Sequence, residues 1–140
     1  MSDRQRVVIT GLGVLCPVGI GHETVWENLL AGRSGIARLT QFDPSPFPVQ
    51  FGGEVKGFDP AVLGSPRDVR RMDRCTQFAL AASRQAVDDA GLDLTALDPE
   101  AVGITIGSAA GGFQTLLEQH QVFLERGPRR VSPFFIQHML

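Results

Sequence analysis

The sequence predicts an α/β fold, from two apolar runs that each end in a glycine-rich turn and from helical-period segments between and after them. The first run, Val7, Val8, Ile9 and Thr10, is β-branched throughout, as suits a buried strand, and it enters the tight turn Gly11-Leu12-Gly13. The second, Val102-Gly103-Ile104-Thr105-Ile106, runs into the small-residue turn Gly107-Ser108-Ala109-Ala110-Gly111-Gly112. Strand, helix, helix, strand, helix is an α/β order, and no internal repeat interrupts it.

Between the strands, residues 23–31 carry Val25, Trp26, Leu29 and Leu30 on one helical face and stop at Gly32, a glycine suited to a C-cap. Residues 36–66 lose all periodicity. They hold most of the prolines, with Phe42, Phe47, Val49, Phe51, Val55 and Phe58 as anchors, which predicts a long ordered excursion with a small hairpin at Gly52-Gly53. Residues 72–90 place Cys75, Phe78, Ala79, Ala82 and Ala86 at helical spacing before Gly91, and so many alanines imply close packing. After the second strand, residues 113–126 form a helix with Leu116, Leu117, His120, Phe123 and Leu124 facing inward and Gly127 closing it. Ser132 as N-cap and Pro133 at the first helical position start a last helix. Its apolar residues Phe134, Phe135, Ile136, Met139 and Leu140 meet no stop signal, so the chain reads as the front part of a larger protein.

Composition narrows the function classes. With 43% hydrophobic and 20% charged residues in 140, the chain has the makeup of a globular domain or a piece of one. A net charge of −2 gives no global basic field, so nucleic acid is not an expected partner, and neither is a membrane. The stretch from Arg4 to Gly21 mimics a signal peptide only until Gly11, Gly13 and Pro17 interrupt it. Cys16 and Cys75 make neither a CxxC pair nor a disulfide framework, which fits a reducing cytoplasm.

Familiar catalytic patterns fail on their spacing. Thr10-Gly11-Leu12-Gly13 after a strand invites a dinucleotide site, but Cys16 stands where the third glycine belongs. Ser108 is no nucleophile elbow, because Ile106 occupies the position of the leading glycine. There is no Gly-Lys-Ser/Thr to cradle phosphate. Cys16 and Cys75 read as buried packing residues, and His22, His120 and His138 have no metal-ligand spacing, so no metal is expected. Two basic clusters remain: Arg67, Arg70, Arg71 and Arg74 around Asp68 and Asp73, and Arg126, Arg129 and Arg130. From pattern alone they are solvated faces at least as readily as a surface for an acidic protein.

Segments in order along the chain carry a resemblance: RVVITGLGVLCPVG at 6–19, AG-SGI at 31–36, RRMDRCTQFAL at 70–80, VGITIGSAAGG at 102–112 and GPRRVSPFF at 127–135. Together they resemble the β-ketoacyl-[acyl-carrier-protein] synthases, in particular the chain-elongating type II kind of fatty acid synthesis. The resemblance implies a thiolase-like fold of two similar halves, of which residues 1–140 would be an N-terminal part of the first. It further implies a cysteine nucleophile beyond the position of Leu140, with two histidines and a lysine later still, so no catalytic residue is expected here.

The implied chemistry is transfer of an acyl group from a carrier thioester to that cysteine, followed by attack of a decarboxylated malonyl unit, without metal or organic cofactor. The implied partners are acyl carrier protein, acyl and malonyl thioesters and a second copy of the chain in a homodimer. Residue by residue, Arg67, Arg70 and Arg71 match basic positions that contact the acidic carrier protein, and Arg129 and Arg130 match a second such pair. Ala110 matches a position at the end of the partner subunit's acyl pocket, and Phe135 matches a pocket-lining phenylalanine. Ala110 is smaller than the isoleucine-like residue of relatives, and Gln137 stands where they commonly have proline. An alternative within the same fold is a chain-length-factor-like subunit of a polyketide synthase pair, which has no nucleophile.

Overall fold

The computed structural model describes residues 6–139, so Arg4 and the apolar end residue Leu140 of the sequence reading lie outside it. The chain forms two compact units, one made by the described residues up to Phe58 with Ala82–Thr95, the other by Asp59–Ala81 with the described residues from Ala96 onward.

In the first unit, β1 (Leu15–Cys16) and β2 (Gly19–Ile20) form a short antiparallel hairpin that leads into helix α1 (His22–Leu30). The Asn28 side chain ties the helix to the hairpin by donating to the Val18 carbonyl at 2.7 Å. Gly32 ends α1 as the sequence predicts. At φ 65° it lets its own amide reach the Leu29 carbonyl and the Arg33 amide reach that of Asn28, so carbonyls left over by the last turn are satisfied.

The excursion after α1 is ordered around β3 (Ile36–Arg38) and β4 (Phe51–Gly53), paired antiparallel with Ala37 opposite Gly52. The small hairpin expected at Gly52-Gly53 is not formed: both glycines belong to β4, which pairs with β3 across the long connection from Leu39 to Gln50. They are small because neighbours come close: a Cβ on Gly53 would be 2.8 Å from the Pro17 ring, and one on Gly52 3.0 Å from Leu39. Beyond β4, the buried Glu54 carboxylate accepts from the Thr40 amide and hydroxyl and from the Gln41 amide, tying the residue after β4 to the segment that follows β3.

Helix α3 (Arg74–Asp89), spanning most of the stretch expected from the alanine pattern, places its second half in this unit. The Gly11-Leu12-Gly13 segment lies on its alanine face, where a Cβ on either glycine would overlap the carbonyl of Ala86 or Ala82. Side chains of the helix replace a strand partner here: Asp89 accepts from the Leu12 amide at 2.8 Å and Gln85 from the Val14 amide at 2.9 Å. His22 stands 3.7 Å from the same Asp89.

The second unit opens with a 3-10 turn, Pro60–Leu63, that buries Leu63 and is capped by Asp59. Helix α2 (Pro66–Val69) follows, capped by Ser65, and then the first half of α3. After a second 3-10 turn, Pro99–Ala101, come α4 (Phe113–Arg126), the 3-10 turn Pro128–Arg130, and α5 (Phe135–Met139). The stops expected at Gly91 and Gly127 are in place, both with positive φ.

The sequence reading needs correction at several points. Residues 7–10 and 102–106 form no strand, and Val7 is 95% and Ile104 83% exposed. A strand requires a neighbour for its amides and carbonyls, and none is available to either segment among the described residues. For the same lack of cover, the expected inward residues of α4, Leu116, Leu117, His120, Phe123 and Leu124, are exposed, as are Trp26, Leu29 and Leu30 of α1. Cys16 and Cys75 are half-buried and not core residues. The last helix starts at Phe135, later than the cap at Ser132 suggested. The Ser132 hydroxyl and carbonyl first take the Phe134 and Phe135 amides in a turn.

Candidate functional site

The candidate site belongs to the second unit and is built on the link between α2 and α3. Ser65 and Pro66 start α2 through local capping, with the Ser65 hydroxyl accepting from the Asp68 amide and donating to the Asp68 carboxylate. That bond engages the acid among the arginines. The link itself is fastened from α3, because the Gln77 side-chain amide donates to the carbonyls of Val69 and Met72 at 3.3 and 3.1 Å. Arg70 and Arg71 are thus presented from backbone held on either side.

Asp73 joins this link to α4. One carboxylate oxygen caps α3 by accepting from the Cys75 amide at 3.1 Å, and the other accepts from the Thr115 amide and hydroxyl in the first turn of α4. Burial pushes the Asp73 carboxyl up, but these bonds from Thr115 and Cys75 outweigh it and hold its pKa below the ordinary value. The neighbouring segment is tied in by Gln119, which accepts from the Ser132 amide at 2.8 Å.

These connections border an open groove of about 450 Å³, whose lining includes Arg70, Asp73, Arg74, Gln77, Glu118 and His138. Its lining is polar throughout, apart from Met72. In sequence Asp73 reads only as a charge among arginines, although an aspartate directly before a helix-period run holds the position of an N-cap.

Arg67 lies on α2, Arg70 and Arg71 on the link, and Arg129 and Arg130 on the 3-10 turn Pro128–Arg130, all exposed. None of the five is paired with a carboxylate among the described residues. Arg74 differs, being half-buried with its guanidinium 4.7 Å above the Phe78 ring. The Arg71 guanidinium lies 5.9 Å above the ring of Phe134.

Ala110 is exposed on the turn before α4, and the adjacent Gly111 leaves no room for a Cβ, which would be 2.9 Å from the Ser108 hydroxyl and 3.2 Å from the Cys75 sulfur. Phe135 is half-buried as the first residue of α5. Among the described residues no cluster of histidine, cysteine and acidic side chains could hold a metal, and no helix is long and apolar enough to cross a membrane.

Against known proteins, residues 4–140 match the family described as β-ketoacyl synthase, N-terminal domain. The chain is 44% identical over its full length to 3-oxoacyl-[acyl-carrier-protein] synthase 2 of Staphylococcus aureus (strain COL), covering 34% of that protein. It is 44% identical over 96% of its length to the protein of the same name from Vibrio cholerae, covering 32% of it. The chain thus spans about a third of the length of these curated relatives. Among solved structures, the ishigamide ketosynthase/chain length factor superposes on 99% of the chain with a TM-score of 0.86 at 35% identity, the chain covering 34% of it. A β-ketoacyl synthase from Burkholderia phymatum superposes on 98% with a TM-score of 0.77 at 25% identity, again with 34% of that chain covered.

Proposed function

Because the chain belongs to the β-ketoacyl synthase family, within its N-terminal domain, we propose that it is the front part of a 3-oxoacyl-[acyl-carrier-protein] synthase of fatty acid biosynthesis. The observation that carries this reading is the 44% identity that runs the whole length of the chain. The reaction is a decarboxylative Claisen condensation. A cysteine thiolate takes the acyl group from a carrier thioester, malonyl-carrier loses CO2 to give an enolate, and its carbon attacks the acyl-enzyme carbonyl and expels the thiolate. Donors aimed at the developing negative charge lower that barrier. The nucleophile, the histidines and the lysine of this scheme lie beyond residue 140, and the enzyme is a cytoplasmic homodimer without cofactor.

The contribution of residues 1–140 is recognition and framework. Arg67, Arg70, Arg71, Arg129 and Arg130 dock the acidic carrier protein. Their exposure and freedom from carboxylate partners support this, since an arginine already neutralised by a neighbour would add little to the encounter. Ala110 and Phe135 act at the acyl pocket and dimer interface. The bare apolar segments around Ile9 and Ile104 and the exposed face of α4 fit a domain that is covered by other parts of the enzyme.

The test is charge reversal in the full-length protein. Arg70→Glu with Arg71→Glu raises KM for acyl carrier protein and flattens the ionic-strength dependence of kcat/KM, because exposed charges act through encounter rate and screening. An unchanged KM and salt profile would return these arginines to a plain solvated face. A second reading, a chain-length-factor-like partner subunit without a nucleophile, is kept by the likeness to the ishigamide ketosynthase/chain length factor. Acylation of the full-length protein by acyl-carrier thioester, read by intact mass, separates the two.

A further inference from the structure

We propose that Arg71 is a positioning residue, linking the carrier-docking surface to the acyl pocket through the ring of Phe134. The inference rests on the docking role of the arginines and the pocket role of Phe135 put forward above. Its starting point is that the two adjacent arginines of the link are held differently. Arg70 lines the polar groove. The Arg71 guanidinium instead lies over the Phe134 ring, 5.9 Å from its centroid.

Phe134 is built into the start of the last helix. Its amide is taken by the Ser132 hydroxyl at 3.2 Å, its carbonyl accepts from the His138 amide at 2.9 Å, and its ring stacks on the His138 ring with centroids 6.1 Å apart and planes 13° from parallel. The next residue is Phe135. A push or pull on the Phe134 ring therefore acts on the turn that aims Phe135.

At the other end, the backbone that carries Arg71 has little freedom. The Arg71 amide bonds the Asp68 carbonyl at 3.0 Å, and Gln77 holds the carbonyls of Val69 and Met72 on either side of the link. With the backbone fixed, the guanidinium answers a carrier carboxylate by moving its side chain, and so gives up contact with Phe134. Carrier docking and the seating of Phe134 then compete for one cation, and such a competition is felt equally in both directions. A lysine would keep the charge for docking but set a more strongly hydrated point charge against the ring in place of the guanidinium.

The experiment compares Arg71→Lys, Phe134→Leu, Phe134→Tyr, the Arg71→Lys/Phe134→Leu double variant and Arg70→Glu in the full-length protein. The readouts are KM for acyl carrier protein and the ratio of kcat/KM for long and short acyl primers. Phe134→Leu is expected to lower carrier KM, because it frees Arg71 for the carrier, and to shift the primer ratio by about 2- to 5-fold, the size an exposed cation–π contact transmits. Arg71→Lys shifts the ratio in the same direction, the double variant adds nothing to either single one, and Phe134→Tyr, which keeps the ring, behaves as the unaltered protein. Additive shifts, or a primer ratio indifferent to Phe134→Leu, would overturn the proposal. A carrier KM indifferent to Arg70→Glu would instead defeat the docking reading, and the primer ratios would still report on the Arg71–Phe134 link.

Discussion

A Cβ on Gly13 would lie 1.8 Å from the carbonyl oxygen of Ala82, well inside any contact distance, so the backbone at Gly13 rests directly on that of helix α3. Gly11 repeats the arrangement one helical turn later, 2.1 Å from the Ala86 carbonyl. Gly13→Ala is therefore expected to push the segment off the helix and to strain the Val14–Gln85 hydrogen bond, costing about 1–3 kcal/mol as overpacking does. Gly19→Ala, whose Cβ would meet only side chains, at closest the methyl groups of Thr24 and Val25 at 3.2 and 3.3 Å, should cost less. Denaturant unfolding of the two variants of the full-length protein checks the contrast, and equal effects would contradict it.

Gln77 supports the docking link without reaching its surface. Gln77→Ala removes both bonds to the Val69 and Met72 carbonyls, each worth about 1 kcal/mol, and leaves α2 and the link less well held. Amide exchange is expected to accelerate at residues 69–72 and not around Gly32. Carrier KM should rise with no charge altered. Exchange rates unchanged at the link would show that α2 and its own caps suffice.

Acid should loosen the framework through Asp73 and Glu54. Burial raises the Asp73 pKa but the bonds from Thr115 and Cys75 bring it below its ordinary 3.8, and the Thr40 amide and hydroxyl bring Glu54 below 4.5. Groups lowered on folding stabilise the fold fully above their unfolded values and lose that contribution as pH falls through the folded ones. Stability is thus expected to drop below about pH 4.5. Asp73→Asn and Glu54→Gln should cost stability at pH 7 and make the acid decline shallower. An acid profile identical to that of the unaltered protein would exclude these two carboxylates as its cause.

In its proposed role at the end of the acyl pocket, Ala110 would bear on substrate length, because its small methyl group would leave space there and each buried methylene of an acyl primer is worth about 0.8 kcal/mol. Ala110→Ile in the full-length protein is expected to depress kcat/KM for long primers much more than for short ones. An equal loss at all lengths would confine Ala110 to packing of the turn, and no change would remove it from the pocket.

Helix ends were legible because a cap is a local event: Gly32, Gly91 and Gly127 stop their helices with positive φ that a side chain would resist. Order along the chain was legible too, since five short segments in sequence identified the family before any contact was known. The basic residues could be named but not told apart, because the contact of Arg71 with Phe134 joins positions distant in the chain. For the same reason the bridging role of Asp73 was not legible, its bond to Thr115 spanning 42 residues.

Apolar runs at 7–10 and 102–106 gave the right class of fold and the wrong local state, for hydrophobicity states a wish to be covered while a strand exists only where a neighbour accepts its hydrogen bonds. Tertiary structure alone decided that Gly52 and Gly53 lie within β4, close against Leu39 and Pro17, and that Gly11 and Gly13 exist to let two backbones touch. The sequence by itself determined which residues prefer to turn, cap and bury. Which of them meet was left to packing, since distance along the chain carries no record of proximity across it.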